Sequence, residues 1–384
     1  MKYNFDKYIN RKNSNCFKWD FGKYDKLDMI PMWVADMDFL SPPEVIDALH
    51  KRIDHGVFGY TFPSEELVEI IIGRLNKLYK WHIKSEWIVW LPGIVTGFNT
   101  VCKAVASINE NIATATPVYY PFLQAPENNM QSITKIPMVK ENNRWTLDFE
   151  LIEKMVLKKT KVFLFCNPHN PSGTMFTKKE LLKFADICER NDIVICSDEI
   201  HCDLILDKSK KHIPIASLAP NIAKRTITLM APSKTYNIAG LGCSFAIIPD
   251  IELRTKYINA MAGIVPYVNL LGYTATLAAY KYGDKWLSEL LDYLRENLKL
   301  VQEYIDKIPG FSMSKHESTY LVWVDVSESG IENPVDFFDN IGVGFSNGAD
   351  FDGPGFIRMN IGCPRSILKE ALERVYNAVI NNHQ

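Results

Sequence analysis

Val162-Phe163-Leu164-Phe165-Cys166 is a short, wholly apolar run closed by Asn167-Pro168, and Ile193-Val194-Ile195-Cys196 is a second, closed by Ser197-Asp198-Glu199. Runs of this length without polar alternation read as strands buried on both faces. Between them Thr177-Lys178-Lys179-Glu180 has the form of a capping box, and Leu181, Leu182, Phe184, Ala185 and Ile187 follow at helical spacing. The unit is strand, helix, strand. Thr226-Ile227-Thr228-Leu229-Met230 and Phe245-Ala246-Ile247-Ile248 continue the theme, and Ile112-Ala113-Thr114-Ala115, ahead of Pro117, precedes it. Apolar strands alternating with helices predict an α/β fold with a mostly parallel central sheet covered on both sides.

From about Tyr280 the texture changes. A long amphipathic segment from Trp286 to Ile305 is followed by strand-like Tyr320-Leu321-Val322-Trp323-Val324. The expected organisation is a large domain over residues 46–280 and a smaller α+β domain built from 1–45 and 281–384. No internal repeat or low-complexity stretch interrupts this pattern.

The composition narrows the function classes. With 384 residues, 47% hydrophobic and 23% charged, the chain has the profile of a large globular protein. Its 43 Lys and Arg stand against 45 Asp and Glu, with no basic block, so neither nucleic acid nor an anionic membrane surface is an expected partner. No run of about 18 apolar residues suggests a membrane span, and Met1-Lys2-Tyr3-Asn4-Phe5-Asp6 lacks a signal-peptide core. A cytoplasmic location is therefore expected. The eight cysteines form no C-x-x-C pair and read as reduced thiols, several of them in apolar strands. His201, Cys202 and Asp203 are adjacent ligand types, but a contiguous loop set does not suit zinc, so no metal is expected.

Four loops carry residues with chemistry. Lys234, in Ala231-Pro232-Ser233-Lys234-Thr235-Tyr236-Asn237-Ile238-Ala239-Gly240, follows a buried strand; such a lysine suits Schiff-base chemistry, although most lysines there are solvated. Asp198 ends another strand, where it could equally cap the next segment. Open parallel sheets bind ligands beyond the carboxyl ends of their strands, so Asp198 and Lys234 could face one pocket. Asn167-Pro168-His169-Asn170-Pro171-Ser172-Gly173-Thr174 is dense in turn formers, and only its prolines and glycine read as structural. Pro92-Gly93-Ile94-Val95-Thr96-Gly97 opens an apolar helix whose N-terminal amides could bind a phosphate; without a downstream Gly-Lys-Ser it is not a nucleotide P-loop.

Taken together, Asn167-Pro168-x-Asn170-Pro171-x-Gly173, Asp198, Ser233-Lys234 and Arg358 resemble the fold-type-I pyridoxal 5′-phosphate enzymes of the class I/II aminotransferase superfamily. The motifs occur in order over nearly the whole chain. The resemblance implies the aspartate aminotransferase-like fold, with Lys234 as the Schiff-base lysine, Asp198 as partner of the pyridinium nitrogen and Asn170 as donor to the cofactor's phenolic oxygen. It implies Tyr119 as the aromatic residue stacked on the ring. It assigns the phosphate to the amides around Ile94 and Val95, to the Ser233 hydroxyl and to Tyr60 of a neighbouring subunit, hence a homodimer. Arg358 matches the arginine that clamps the substrate α-carboxylate, with Asn170, Tyr120, Trp33 and Ala35 also on the substrate side.

Two positions depart from the commonest pattern. Gly242 stands where many members carry a phosphate-binding arginine, and His201 stands where a tyrosine is usual; its imidazole can still donate to the phenolic oxygen. With Asp198-Glu199-Ile200-His201-x-Asp203 and Pro31-Met32-Trp33-Val34-Ala35-Asp36-Met37-Asp38-Phe39, the chain is similar to the MalY/PatB-type C–S β-lyases. That implies β-elimination from cystathionine and other cysteine S-conjugates, an amino-acid substrate. An aminotransferase, and a cofactor-binding regulator acting through a protein partner, are the alternatives.

Overall fold

The computed structural model describes residues 2–22 and 28–382. Seven strands form the central sheet: β1 (Ile88–Leu91), β2 (Asn111–Thr116), β3 (Ser132–Pro137), β4 (Thr160–Cys166), β5 (Val194–Asp198), β6 (Thr226–Met230) and β7 (Ser244–Ile247), in spatial order β1-β7-β6-β5-β4-β2-β3. The four pairings from β3 through β2, β4 and β5 to β6 are parallel, while β7 runs antiparallel to both of its neighbours. The expected alternation is thus right except at β7.

The apolar runs have the anticipated cause. On β4, Val162, Leu164 and Cys166 enter the core packed by helix Ile94–Val105, and Phe163 and Phe165 enter the core packed by helix Lys178–Arg190. Both faces are covered, so neither can be polar. Burying each such side chain contributes roughly 1.5–3 kcal/mol. The Thr177 capping box is complete, with Thr177 and Glu180 each bonding the other's backbone amide.

The parallel register brings one kind of strand end to one edge. Cys166 pairs with Asp198 and Asp198 with Leu229, so the loops after β4, β5 and β6 leave the sheet side by side. These loops carry Asn170, Asp198 and Lys234.

A second, antiparallel sheet holds β8 (Ser312–Met313), β9 (Leu321–Asp325), β10 (Ser346–Asn347) and β11 (Phe356–Asn360), in order β8-β9-β11-β10. Helices Asp284–Ile305 and Arg365–Asn382 pack in the same core, which also takes in Met32, Met37 and Phe39. Ile30–Pro31 pairs in parallel with Val343–Gly344, and this anchors the segment that follows. Among the described residues no helix is long and apolar enough to cross a membrane.

Candidate active site

Lys234 lies four residues beyond the end of β6, in a turn. Its Nζ donates to the Ala35 carbonyl at 2.7 Å, a contact 199 residues distant in the chain. Tyr320 donates its hydroxyl to the same carbonyl at 3.0 Å. Desolvation brings the amine down to about 8; the nearby Arg358 charge adds to this, and the Asp36 and Asp198 carboxylates oppose it. A neutral amine is the nucleophile, so its population grows as pH rises through about 8 rather than the usual 10.5. The cofactor-free protein should therefore condense with an aldehyde at a rate that climbs with pH and levels off shortly above 8. A plateau reached only at the pH of an ordinary lysine would contradict this placement.

Asp198 ends β5 and is buried, with the Ile200 amide donating to Oδ1 at 3.1 Å. Burial pushes its carboxyl up to about 7, with the Glu199 charge in the same direction and the Ile200 amide and Lys234 against. Such a group is held ionised by a cation placed opposite it.

Arg358, at the centre of β11, is buried. Its Nη1 donates to Asn170 Oδ1 at 3.1 Å, and its Nη2 to the Trp33 carbonyl at 2.8 Å and to Ser346 Oγ at 3.2 Å. The guanidinium lies 4.6 Å from the Phe351 ring centroid, and Nε is buried without a partner. Desolvation lowers it to about 10, so it remains a cation at neutral pH. Tyr119 donates its amide to the Asn170 carbonyl at 3.2 Å, and its ring meets that of Tyr120 edge-on at 5.1 Å. Burial, with the Tyr120 neighbour, pushes the Tyr119 phenol up to about 12.

His201 is buried, and its Nδ1 has no hydrogen-bond partner among the described residues. Desolvation, then the positive charges of Lys234 and Arg358, holds it down at about 3, so the imidazole is neutral. An orphaned ring nitrogen in a buried site is fit to meet a ligand atom.

Helix Ile94–Val105 starts behind Gly93 with no side-chain cap, which leaves its first amides without intrahelical partners. Ile94 is buried and Val95 exposed. Gly97 brings this helix against the sheet: a Cβ there would stand 3.1 Å from Leu229 and Leu91. Gly242 has φ +55° and would place a Cβ 3.2 Å from the Pro92 carbonyl, beside that helix start. Gly242, where the resemblance leads one to expect an arginine, is here a left-handed turn packed against the loop that opens this helix. Ser233 is partly buried next to Lys234.

Tyr60 is fully exposed and, among the described residues, hydrogen-bonds to none of these groups. It lines a groove of about 720 Å³ with Phe58 and Tyr267, both largely exposed.

The Asn170 loop corrects one expectation. His169 Nδ1 and Ser172 Oγ are 2.7 Å apart, Ser172 donates to Thr174 Oγ1 at 3.0 Å, and all three are buried. These polar residues are as structural as the prolines, because they satisfy one another inside the turn that presents Asn170. Gly173, at φ +70°, would drive a Cβ to 2.3 Å from His316.

Tyr320, Ser346 and Phe351 were missed by sequence reasoning. Asn360 was missed too: it holds the Asp36 carbonyl at 2.6 Å and also bonds the Val34 carbonyl, fixing the segment over Lys234. Tyr320 and Asn360 bond carbonyls hundreds of residues away, and Ser346 and Phe351 meet Arg358 only once the small sheet has formed, so no local signal marks them.

The family model for aminotransferase class I and II matches residues 28–375. The chain is 36% identical to cystathionine beta-lyase PatB of Bacillus subtilis (strain 168), over 98% of this chain and all of that one. The crystal structure of OvoB superposes with a TM-score of 0.95 at 44% identity, covering 98% of this chain and 99% of that chain. The PLP-bound C–S lyase from Staphylococcus hominis superposes with a TM-score of 0.92 at 32% identity, covering 99% of each chain. With its site built from the carboxyl ends of parallel strands and matched along its length, this chain belongs to the class I and II aminotransferase family.

Proposed function

We propose that the chain is a pyridoxal 5′-phosphate-dependent carbon–sulfur β-lyase that cleaves cystathionine and related cysteine S-conjugates to a thiol, pyruvate and ammonia. The observation that carries the reading is the joint placement of a low-pKa lysine and a buried aspartate at one edge of the central sheet, with a buried arginine of the second sheet bonded to the neighbouring Asn170, in a chain similar end to end to PatB. The residues fit the cofactor. Among the described residues Asp198 has no side-chain cation within bonding distance, and His201 keeps a ring nitrogen unpaired.

When bound, the cofactor supplies an electron sink for the pair of electrons left at the substrate's Cα. Asp198 would face the ring nitrogen, Asn170 and His201 the phenolic oxygen, and Tyr119 the ring face. The Ile94 and Val95 amides and the Ser233 hydroxyl would receive the phosphate, helped by the positive end of the helix dipole where Gly242 provides no cation. Arg358 would bind the α-carboxylate by its fork, exchanging the Trp33 carbonyl and Asn170 for substrate oxygens. Tyr120, Trp33 and Ala35 border that position. With the cofactor bound, Lys234 would take the proton from Cα and give it to the departing sulfur. The free amine is held by the Ala35 carbonyl.

L-cystathionine added to the loaded protein should yield pyruvate and free thiol in equal amounts. Conversion of the cofactor to its amine form without pyruvate would identify an aminotransferase instead.

We also infer a homodimer in which Tyr60 reaches the partner's phosphate site. The support is the fully exposed Tyr60 beside exposed Phe58, Phe62 and Tyr267, an apolar patch of the kind that marks interfaces. Tyr60→Ala should lose cofactor during gel filtration sooner than the parent protein; equal retention would remove Tyr60 from the site. The division into residues 46–280 against 1–45 with 281–384 is supported by a core on the small sheet drawn mostly from 1–45 and 281–384, although Leu204, Leu206, Tyr236, Ile238, Ala275, Ala278 and Ala279 also pack into it. Eight free thiols suit a cytoplasmic location.

A further inference from the structure

Glu317 is a wholly buried carboxylate to which the reaction assigns no step. Its Oε2 accepts the Met175 amide at 2.9 Å. Arg144 Nε lies 3.2 Å from one of its oxygens and 3.3 Å from the other, Lys210 donates to Oε1, and Lys315 stands 3.8 Å away. Arg144 also donates through Nη2 to the Met175 carbonyl at 2.5 Å and through Nη1 to Glu180 at 2.7 Å. One ion pair therefore holds both the amide and the carbonyl of Met175. Charge balance alone does not call for those two backbone bonds; they fix the position of the chain. With Glu317 out of water, removing either member of the pair would leave the other uncompensated.

The neighbours of Glu317 grip the same loop. Its own amide and the Ser318 hydroxyl both donate to the Gly173 carbonyl, at 3.2 and 2.9 Å, and His316 packs where a Cβ on Gly173 would stand. Within the loop the His169 amide donates to the Thr174 carbonyl at 2.9 Å and the Gly173 amide to the His169 carbonyl at 2.8 Å. Asn170 lies inside this lacing, so a shift at Gly173 or Met175 is passed on to it. On the other side of Glu317, Thr319 has φ +69°, an outlier for a β-branched residue that its surroundings must hold in place. Its amide is held by the Leu204 carbonyl at 2.8 Å. Tyr320 follows, with its hydroxyl on the Ala35 carbonyl, and then β9, where Trp323 stands opposite Arg358. Residues 316–320 thus join the Asn170 loop to the strand pair that carries Arg358. The bond from Arg358 Nη1 to Asn170 Oδ1 closes the circuit.

We propose that Glu317, paired with Arg144, is a positioning residue that sets where Asn170 meets Arg358, and with it the geometry in which the guanidinium fork takes the substrate α-carboxylate. The proposal rests on the assignment of Arg358 given above. A bidentate pair tolerates little displacement, because both of its hydrogen bonds must align at once. Asn170 comes from the central sheet and Arg358 from the small one, so their relative placement depends on whatever ties the two sheets together beside them. Glu317 and Arg144 are that tie: the carboxylate belongs to the segment leading into β9, and the guanidinium and Met175 belong to the large domain.

The test is steady-state turnover of L-cystathionine by the intact holoenzyme, with the melting temperature measured alongside. Glu317→Gln keeps an acceptor for the Met175 amide but removes the charge that holds Arg144. It should raise KM about tenfold, the order of loss that a displacement of a fraction of an ångström produces. The effect on kcat should be much smaller, because Lys234 keeps its own contact with Ala35. Coupling is the readout that packing alone would not move. In an Asn170→Ala background Glu317→Gln should shift KM by less than about twofold, since its effect passes through Asn170, whereas the effects of independent sites add. Arg144→Lys keeps a cation beside Glu317 and gives up the fork that also holds the Met175 carbonyl. It should raise KM in the same way by a smaller factor, which preserves the test should Glu317→Gln fail to fold. A parent-like KM in both variants with a lowered melting temperature would mark a packing role and overturn the proposal. So would an undiminished effect in the Asn170→Ala background. Arg358→Ala separates the two levels: if it raises KM and Glu317→Gln does not, the proposal alone fails; if neither does, the assignment of Arg358 fails and the proposal with it.

Discussion

Lys234→Ala is expected to reduce turnover of L-cystathionine by about 10⁴-fold or more, since it removes both the group that anchors the cofactor and the base that moves the Cα proton. The substitution should also abolish the visible absorbance of the lysine-bound cofactor. Cofactor affinity should fall less than activity, because the phosphate contacts and Asp198 do not depend on this side chain. Stability should change little: the Nζ makes one hydrogen bond, to the Ala35 carbonyl, and that carbonyl keeps its bond from Tyr320. Turnover within tenfold of the parent would refute the mechanism. Added small amines offer a sharper check, since partial rescue of Lys234→Ala would show that the missing function is that of an amine and not of packing.

Arg358→Ala should raise the KM for cystathionine by roughly 10²- to 10³-fold, the loss expected when one partner of a buried, bidentate charge pair is removed. The visible spectrum should stay close to that of the parent, because the guanidinium's hydrogen bonds go to Asn170, the Trp33 segment and Ser346 and not to Lys234 or Asp198. Arg358→Lys keeps a charge but not the fork, and it leaves the Phe351 ring without its planar partner at 4.6 Å. It should recover only a small part of the loss. An unchanged KM in Arg358→Ala would assign the carboxylate to another group; a lost visible band would mean that the arginine chiefly supports the cofactor pocket.

The two sites differ in legibility for a physical reason. Lys234, Asp198 and Asn170 each follow a strand whose apolar run is plain in the chain, so local pattern alone is enough to place them at one sheet edge. Strands occur within two residues of their expected limits at Thr160–Cys166, Val194–Asp198 and Thr226–Met230. The reversed direction of Ser244–Ile247 was not legible, because a strand buried on both faces has the same composition whichever way it runs. Nor was the buried His169, Ser172 and Thr174 chain, whose members look like ordinary loop residues until the turn folds them together. Arg358 stands out only as a charge in an apolar run; what it holds lies in distant parts of the chain.

The amino-acid sequence by itself determined the layered α/β architecture and the types of group available for chemistry, since both follow from short-range alternation and from residue identity. Only the tertiary structure decided how those groups behave. The amine of Lys234 is near 8 because folding strips it of water and sets Arg358 nearby, against the pull of Asp36 and Asp198. The guanidinium of Arg358 is held by the Trp33 carbonyl, 325 residues away, and by the Asn170 side chain, 188 residues away. Desolvation and long-range contact exist only in the packed chain, so pKa and geometry are properties of the fold.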